Sequence, residues 1–264
     1  MLECTKINID GLDVISDKYF FTLDGLFNND TDIIMNDLNT DGQRYDHTKI
    51  QVKKVVLDGW IKSKQMKDFL KLRQVLCNKN LKTFTISMSG IEDLTFKAQL
   101  QTWVDGSIGK FSIACSLVLP DPYLYALSSQ IISLGAVVDN SLNFPTTFPI
   151  TFGNIIGESD IIVNKGTASA YPVITVIGSC SDILITNVTT GEYMYINYQL
   201  LENDVLEIDN NPLTRSIKLN GAIRMDLKNG TWITCDVGDN EITFNRNSLE
   251  SIFHCTVNLK SRYI

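Results

Sequence analysis

Histidine is nearly missing from this chain, with His47 and His254 the two among 264 residues. Neither stands in an HExxH-type spacing, and His254 and Cys255, as neighbours on a strand, would point to opposite faces. The six cysteines (Cys4, Cys77, Cys115, Cys180, Cys235, Cys255) are far apart and form no CxxC pair. They are expected to be free and mostly buried thiols in a reducing compartment. The GxSxG elbow, the GxxxxGK[ST] loop and the GxGxxG turn are also absent, which removes the common hydrolase, nucleotide and dinucleotide signatures. Glu92-Asp93 is the one adjacent acidic pair, and on a strand it would diverge instead of facing across a cleft. No residue is therefore assigned a catalytic, cofactor-binding or metal-binding role, no cofactor is implied, and no enzyme activity is expected.

Positive charge is in deficit too. Lys and Arg number 23 against 30 Asp and Glu, a formal net charge of −7. A sequence-independent nucleic-acid binder needs a basic face to neutralise phosphates, so that class is disfavoured. No apolar run reaches the ~18 residues that a membrane-spanning helix requires. The start, Met-Leu-Glu-Cys-Thr-Lys, lacks the basic region and apolar core of a secretory signal, so the chain is expected to stay in the compartment where it is made. The segment Asp37-Leu38-Asn39-Thr40-Asp41-Gly42 matches the first half of an EF-hand loop, but Thr48 stands where the bidentate acid should be. A hydrogen-bonded turn is the expectation there.

What is present is hydrophobic content of 44%, rich in Ile, Val, Thr, Phe and Tyr, which favours β structure around proper cores. In the first half the strand candidates are Ile7 to Ile9, Tyr19 to Leu23, Val52 to Trp60, Leu81 to Met88, Leu94 to Val104 and Gly109 to Leu119. Residues 28 to 46 are polar and rich in Asp and Asn, and read as a long loop. One helix is predicted after Ser63 as cap, with Met66, Phe69, Leu70, Val75, Leu76 and Cys77 as its apolar stripe and Asn78-Lys79-Asn80 as its end. After residue 126 short apolar runs recur, among them Val173 to Ile177, Ile183 to Ile185, Tyr193 to Ile196, Val205 to Ile208 and Ile252 to Leu259. Polar turns such as Thr190-Gly191 and Asn220-Gly221 punctuate them.

The predicted architecture is an α+β N-terminal domain, a small antiparallel sheet with one helix, over residues 1–126. An all-β, jelly-roll-like sandwich follows over 154–264. Between them, 127–153 is predicted to be a linker or edge segment. It carries Phe144-Pro145, Phe148-Pro149 and Phe152-Gly153, and its prolines cannot donate to a sheet ladder. Charge is uneven within the first domain. Nine acids lie between Asp10 and Asp46 against Lys18 and Arg44, and ten basic residues lie between His47 and Lys82 against Asp58 and Asp68. These are either solvated faces that offset each other within one molecule or complementary patches that meet between copies.

The order of these pieces resembles the siphovirus-type tail component family, the distal tail proteins of siphophages, over essentially the whole chain. The first half closes on Asp121-Pro122-Tyr123-Leu124-Tyr125. Asn164-Lys165-Gly166 with Tyr171-Pro172-Val173-Ile174 is similar to the family's N-x-G … P-x-I run. Ile185 to Glu192 and Leu206 to Asp209 follow. Trp232-Ile233 with Val237-Gly238-Asp239-Asn240-Glu241-Ile242 is similar to its W … G-x-N-x-I ending, with Val237 where a proline often precedes the glycine.

The resemblance implies a virion tail protein, assembled in the host cytoplasm, that forms a ring, usually a hexamer, between the tail tube and the tail tip or baseplate. Its implied partners are copies of itself, the tail tube protein, a tail-tip or tail-associated protein and, in some relatives, receptor-binding proteins. DNA would pass through the lumen without sequence-specific binding, and an acidic wall would keep it from sticking. The alternative reading is a carbohydrate-binding β-sandwich module with an accessory domain. Its candidate stacking residues are Trp232, Tyr193, Tyr195 and Tyr198, which read more naturally as packing in the core or at its edge.

Overall fold

The computed structural model describes residues 4–37, 43–106, 111–135, 159–246 and 253–264. They form mostly antiparallel sheets with a single α-helix among the described residues. The chain divides into two compact units, Met1–Ser128 with Tyr263–Ile264, and Ser129–Arg262.

In the first unit the elements run β1 (Cys4–Ile9), β2 (Leu12–Asp13), β3 (Tyr19–Asp24), β4 (Thr31–Asp37), β5 (Gln43–Ile50), β6 (Lys53–Ile61), α1 (Met66–Leu76), β7 (Lys82–Met88), β8 (Leu94–Asp105), β9 (Ser112–Leu119) and β10 (Leu124–Ala126). The main sheet has the order β2-β1-β7-β8-β9-β6-β3. The two-residue period of a strand decides which side chains are inside. In β6, Val55, Leu57 and Ile61 are buried and Lys54, Val56, Asp58 and Trp60 exposed. In β9 the buried set is Ile113, Cys115, Leu117 and Leu119. Phe84 and Phe96, opposite each other across β7 and β8, stack at 5.0 Å.

The helix departs from the sequence reading in which face it buries. Asp68, Leu72 and Leu76 are buried, whereas Met66 and Leu70 are 60% and 55% exposed. Ser63 does not cap α1. Gln65 is the cap residue, and the Ser63 hydroxyl instead donates to Asp68 Oδ2 at 2.6 Å. Lys18 (3.9 Å) also faces Asp68, so a carboxylate inside the helix face is matched by a cation and a hydroxyl.

Residues 28 to 46, expected as a long loop, instead supply β4 and the start of β5, which pair as an antiparallel ribbon. Residues 38–42, which hold most of the EF-hand-like segment, lie outside the described residues, as do 136–158 with the Phe-Pro pairs.

The second unit contains β11 (Gln130–Leu134), β12 (Ser159–Asn164), β13 (Val173–Gly178), β14 (Ile183–Asn187), β15 (Glu192–Ile196), β16 (Val205–Asp209), β17 (Ser216–Leu219), β18 (Ala222–Ile223), β19 (Lys228–Gly230), β20 (Gly238–Asn245) and β21 (Phe253–Leu259). A short 3-10 turn spans Met225–Leu227. One sheet has the order β11-β21-β13-β16-β17-β18 and the other β12-β20-β14-β15-β19. Their buried positions, including Ile174, Val176, Ile185, Met194, Ile208, Ile217, Ile242, Phe244, Phe253 and Val257, form one core. Gln130–Leu134, inside the stretch expected as a linker or edge segment, forms the edge strand β11, paired with β21. The closing strand β22 (Arg262–Tyr263) pairs with β10, and Tyr263 joins the core of the first unit.

Candidate functional site

Four of the six cysteines are buried. Burial pushes the Cys115 and Cys235 thiols up to about 12 and the Cys180 thiol to about 11, and raises Cys255 as well. Such groups stay protonated at neutral pH and make poor nucleophiles. Cys4 is half-buried, and Cys77 is exposed, unlike the buried set. His47 is exposed and bonds the neighbouring Asp46 at 2.9 Å, while His254 is half-buried in β21. Glu92, from the one adjacent acidic pair, accepts from the hydroxyls of Tyr263 (2.7 Å) and Ser128 (2.8 Å). A small cavity of about 170 Å³ is lined by Cys4, Asp24, Asn28 and apolar neighbours. Among the described residues no group of three or more His, Cys, Asp or Glu is placed to hold a metal ion.

The feature that calls for a partner is the β4–β5 ribbon. Its register pairs Thr31 with Ile50, Ile33 with Thr48 and, past an irregularity, Met35 with Tyr45. Alternation then gathers Ile33, Met35, Tyr45 and Ile50 on one face, with Asp32, Ile34, His47 and Lys49 on the other. Ile33 is 58% exposed, Met35 47% and Tyr45 59%. Tyr45 and Thr48 bond through their hydroxyls at 3.0 Å. At the base, Gln51 N–H donates to the Asp30 carbonyl at 2.9 Å, and the Gln51 amide bonds Asp32. Among the described strands none pairs with the ribbon. A lone two-stranded ribbon is marginal in water, so one with an apolar face needs cover. The sequence reading missed it because Asp and Asn dominate its composition. The signal was there in Ile33, Met35, Tyr45 and Ile50 on either side of Asp41-Gly42, a hairpin dipeptide.

The main sheet also leaves a face open. Phe20 and Trp60 pack at 4.5 Å across β3 and β6, with Lys62 5.5 Å from the Phe20 ring. Exposed or half-exposed Thr22, Asp24, Val56, Asp58, Ser112, Ala114, Ser116, Thr102 and Val104 continue that face. The uneven charge is partly offset within the molecule, by Lys82 to Asp10 at 3.2 Å and Lys18 to Asp68 at 3.9 Å. Among the described residues Lys54, Lys64, Lys67 and Lys71 form no ion pair.

The four aromatics weighed as sugar platforms separate in the second unit. Trp232 and Tyr198 pack half-buried on its core and carry cations, Arg215 and Lys228 on Trp232 and Arg224 on Tyr198. Tyr195 donates to Asp182 at 2.8 Å. Tyr193 alone is exposed, at 49%.

Residues 165–263 match the family described as siphovirus-type tail component, C-terminal domain. Two solved structures are similar over nearly the whole chain. One is the SPP1 Dit protein, described as a paradigm of hub adsorption apparatus in Gram-positive infecting phages. It has a TM-score of 0.68 at 12% identity, covering 98% of this chain and 99% of that one. The other is a chain of the phage P2 baseplate in its activated conformation with Ca, with a TM-score of 0.50, 12% identity and 97% of each chain covered. At these identities the likeness is one of fold. No curated protein matches the sequence.

Proposed function

We propose that this protein is a structural hub of a siphophage tail. Copies of the chain close into a hexameric ring between the tail tube and the tail-tip or tail-associated proteins, with a lumen for DNA. The observation that carries this reading is the β4–β5 ribbon, whose Ile33–Met35–Tyr45 face has no partner strand within the described chain. A ring needs a head-to-tail contact between two different patches, and a projecting ribbon meeting a neighbour's surface is such a contact. The tail-component domain over residues 165–263 supports the same reading, as does a fold shared along the chain with the SPP1 Dit structure.

In this reading residues 1–126 are the ring-forming α+β domain. Residues 154–264 are a jelly-roll-like sandwich that projects outward and takes the adsorption proteins. Residues 127–153 join the two. The net charge of −7 suits a wall past which DNA must slide. The contribution is geometric, and no reaction is assigned. Light scattering on the purified chain tests it, with a ring-sized mass as the expected result and a monomer at high concentration as the contrary one.

A further inference from the structure

Asn-Gly occurs twice in the sequence, as Asn220-Gly221 and Asn229-Gly230. Glycine has no side chain to keep its nitrogen away from the preceding residue, so in this dipeptide the backbone can cyclise on the asparagine amide. The fold treats the two pairs differently. Asn220 lies in the turn between β17 and β18, with φ of 51°. Its Oδ1 accepts from Val205 N–H at 2.9 Å, and its Nδ2 donates to Asp204 Oδ1 at 2.8 Å. Asp204 is fixed in turn by Leu201 N–H at 2.8 Å. Ring closure on Asn220 would break both amide bonds, and the Asp204 carboxylate opposes a second negative charge beside it.

Asn229 has neither restraint. It is exposed in β19, and among the described residues its side-chain amide makes no hydrogen bond. β19 pairs with β15 on one side, and no described strand covers the other. Thr231 N–H donates to the Tyr193 carbonyl at 2.7 Å, so strand alternation turns the Gly230 N–H toward the open edge. The Lys228 ammonium bonds the Gly230 carbonyl, which places a cation near the nitrogen that must lose its proton. Gly230 is also required by the fold. Its φ is 88°, and a Cβ there would stand 2.5 Å from the Tyr193 carbonyl oxygen.

We propose that Asn229-Gly230 is a site of spontaneous deamidation, with water as the co-reactant. The Gly230 nitrogen gives its proton to hydroxide and attacks Asn229 Cγ. The N–Cγ bond forms, the Cγ–Nδ2 bond breaks, and Nδ2 takes a proton from water and leaves as ammonia, which regenerates the hydroxide. A second water opens the cyclic imide. Cleavage at Cγ gives aspartate, and cleavage at the main-chain carbonyl gives isoaspartate. Nothing is oxidised or reduced. Closure needs the Asn229–Gly230 peptide to rotate out of its pairing with Tyr195 and Met194, which a three-residue edge strand permits by fraying. The product adds a carboxylate beside Lys228. Its isoaspartate form lengthens the main chain of β19 and spoils that pairing. The site does not depend on the ring.

The test incubates the intact protein in mildly alkaline buffer, folded and in urea. Peptides containing 220–221 and 229–230 are then followed by mass spectrometry with fragmentation that separates aspartate from isoaspartate. In the folded protein Asn229 is expected to convert about tenfold or more faster than Asn220, the factor that the bonds holding Asn220 impose. In urea, where neither amide is held, the two rates are expected to converge. Asn229→Gln, a conservative change at an exposed position, is expected to remove most of the ammonia released by the folded chain. Equal rates at the two sites in the folded protein would overturn the proposal. So would an Asn229 that stays intact after the urea sample has converted, or ammonia release unchanged by Asn229→Gln.

Discussion

The hydroxyl of Tyr263 donates to Glu92 Oε1 at 2.7 Å, joining residues 171 apart in sequence. Burial, then the bond to Glu92, pushes the Tyr263 phenol up to about 12. In the unfolded chain the same phenol titrates near 10. The folded state thus holds a proton that the unfolded state loses between those values. The associated stability is complete below pH about 10 and disappears as pH rises toward about 12. Tyr263→Phe is expected to cost about 1–2 kcal/mol at neutral pH and to flatten that alkaline limb. Urea melts at pH 8 to 11.5 on both proteins check this.

Asn240 is fully buried, and both ends of its amide are used. Its Oδ1 accepts from Asp236 N–H at 2.9 Å and Asn187 Nδ2 at 3.1 Å, and its Nδ2 donates to the carbonyls of Asp236 (2.7 Å) and Gly238 (3.0 Å). Asn240→Ala removes all four bonds from a fully buried position, although Asn187 Nδ2 keeps the Thr234 carbonyl at 2.6 Å, and a loss of about 1–3 kcal/mol is expected. Asn240→Asp, which cannot donate to the two carbonyls, should not recover it. Calorimetric unfolding of the three proteins decides.

Gly59 is a packing requirement of the β3–β6 pair. A Cβ there would sit 2.0 Å from the Phe20 carbonyl oxygen and 2.7 Å from Phe21 Cα, both backbone atoms that cannot swing away. Gly59→Ala is expected to displace edge strand β3 and destabilise the first unit by about 3 kcal/mol or more. Hydrogen exchange should show lost protection at Phe21 and Leu23; unchanged protection there would contradict this.

Much of this was readable from residue order. The alternation in β6, β7 and β9 follows from one buried face, and the Gly238-Asp239-Asn240-Glu241-Ile242 motif was visible before its reason, the buried amide of Asn240 that ties the 236–238 turn. The helix was placed correctly but turned. The apolar stripe read from the sequence includes Met66 and Leu70, which are exposed, and omits Leu72, which is buried, because periodicity alone cannot tell a buried apolar residue from an exposed one. Ser63 looked like a cap from residue type, yet its hydroxyl prefers the buried Asp68 carboxylate. The β4–β5 ribbon is obscured by its polar composition, since the Asp and Asn residues between its few apolar positions read as loop.

The ribbon surface separates assembly from folding. Ile33 and Tyr45 are mostly exposed, so Ile33→Asp/Tyr45→Asp is expected to leave monomer stability within about 0.5 kcal/mol. If the ribbon joins neighbours, the same pair abolishes the high-mass species in sedimentation velocity.

The most direct measurement is the mass and shape of the unmodified protein in solution, by light scattering with negative-stain imaging of the same sample. The account predicts closed rings with an open centre, converted to single subunits by Ile33→Asp/Tyr45→Asp. A chain that stays monomeric at every concentration tried, or rings that persist unchanged in the ribbon variant, would contradict it.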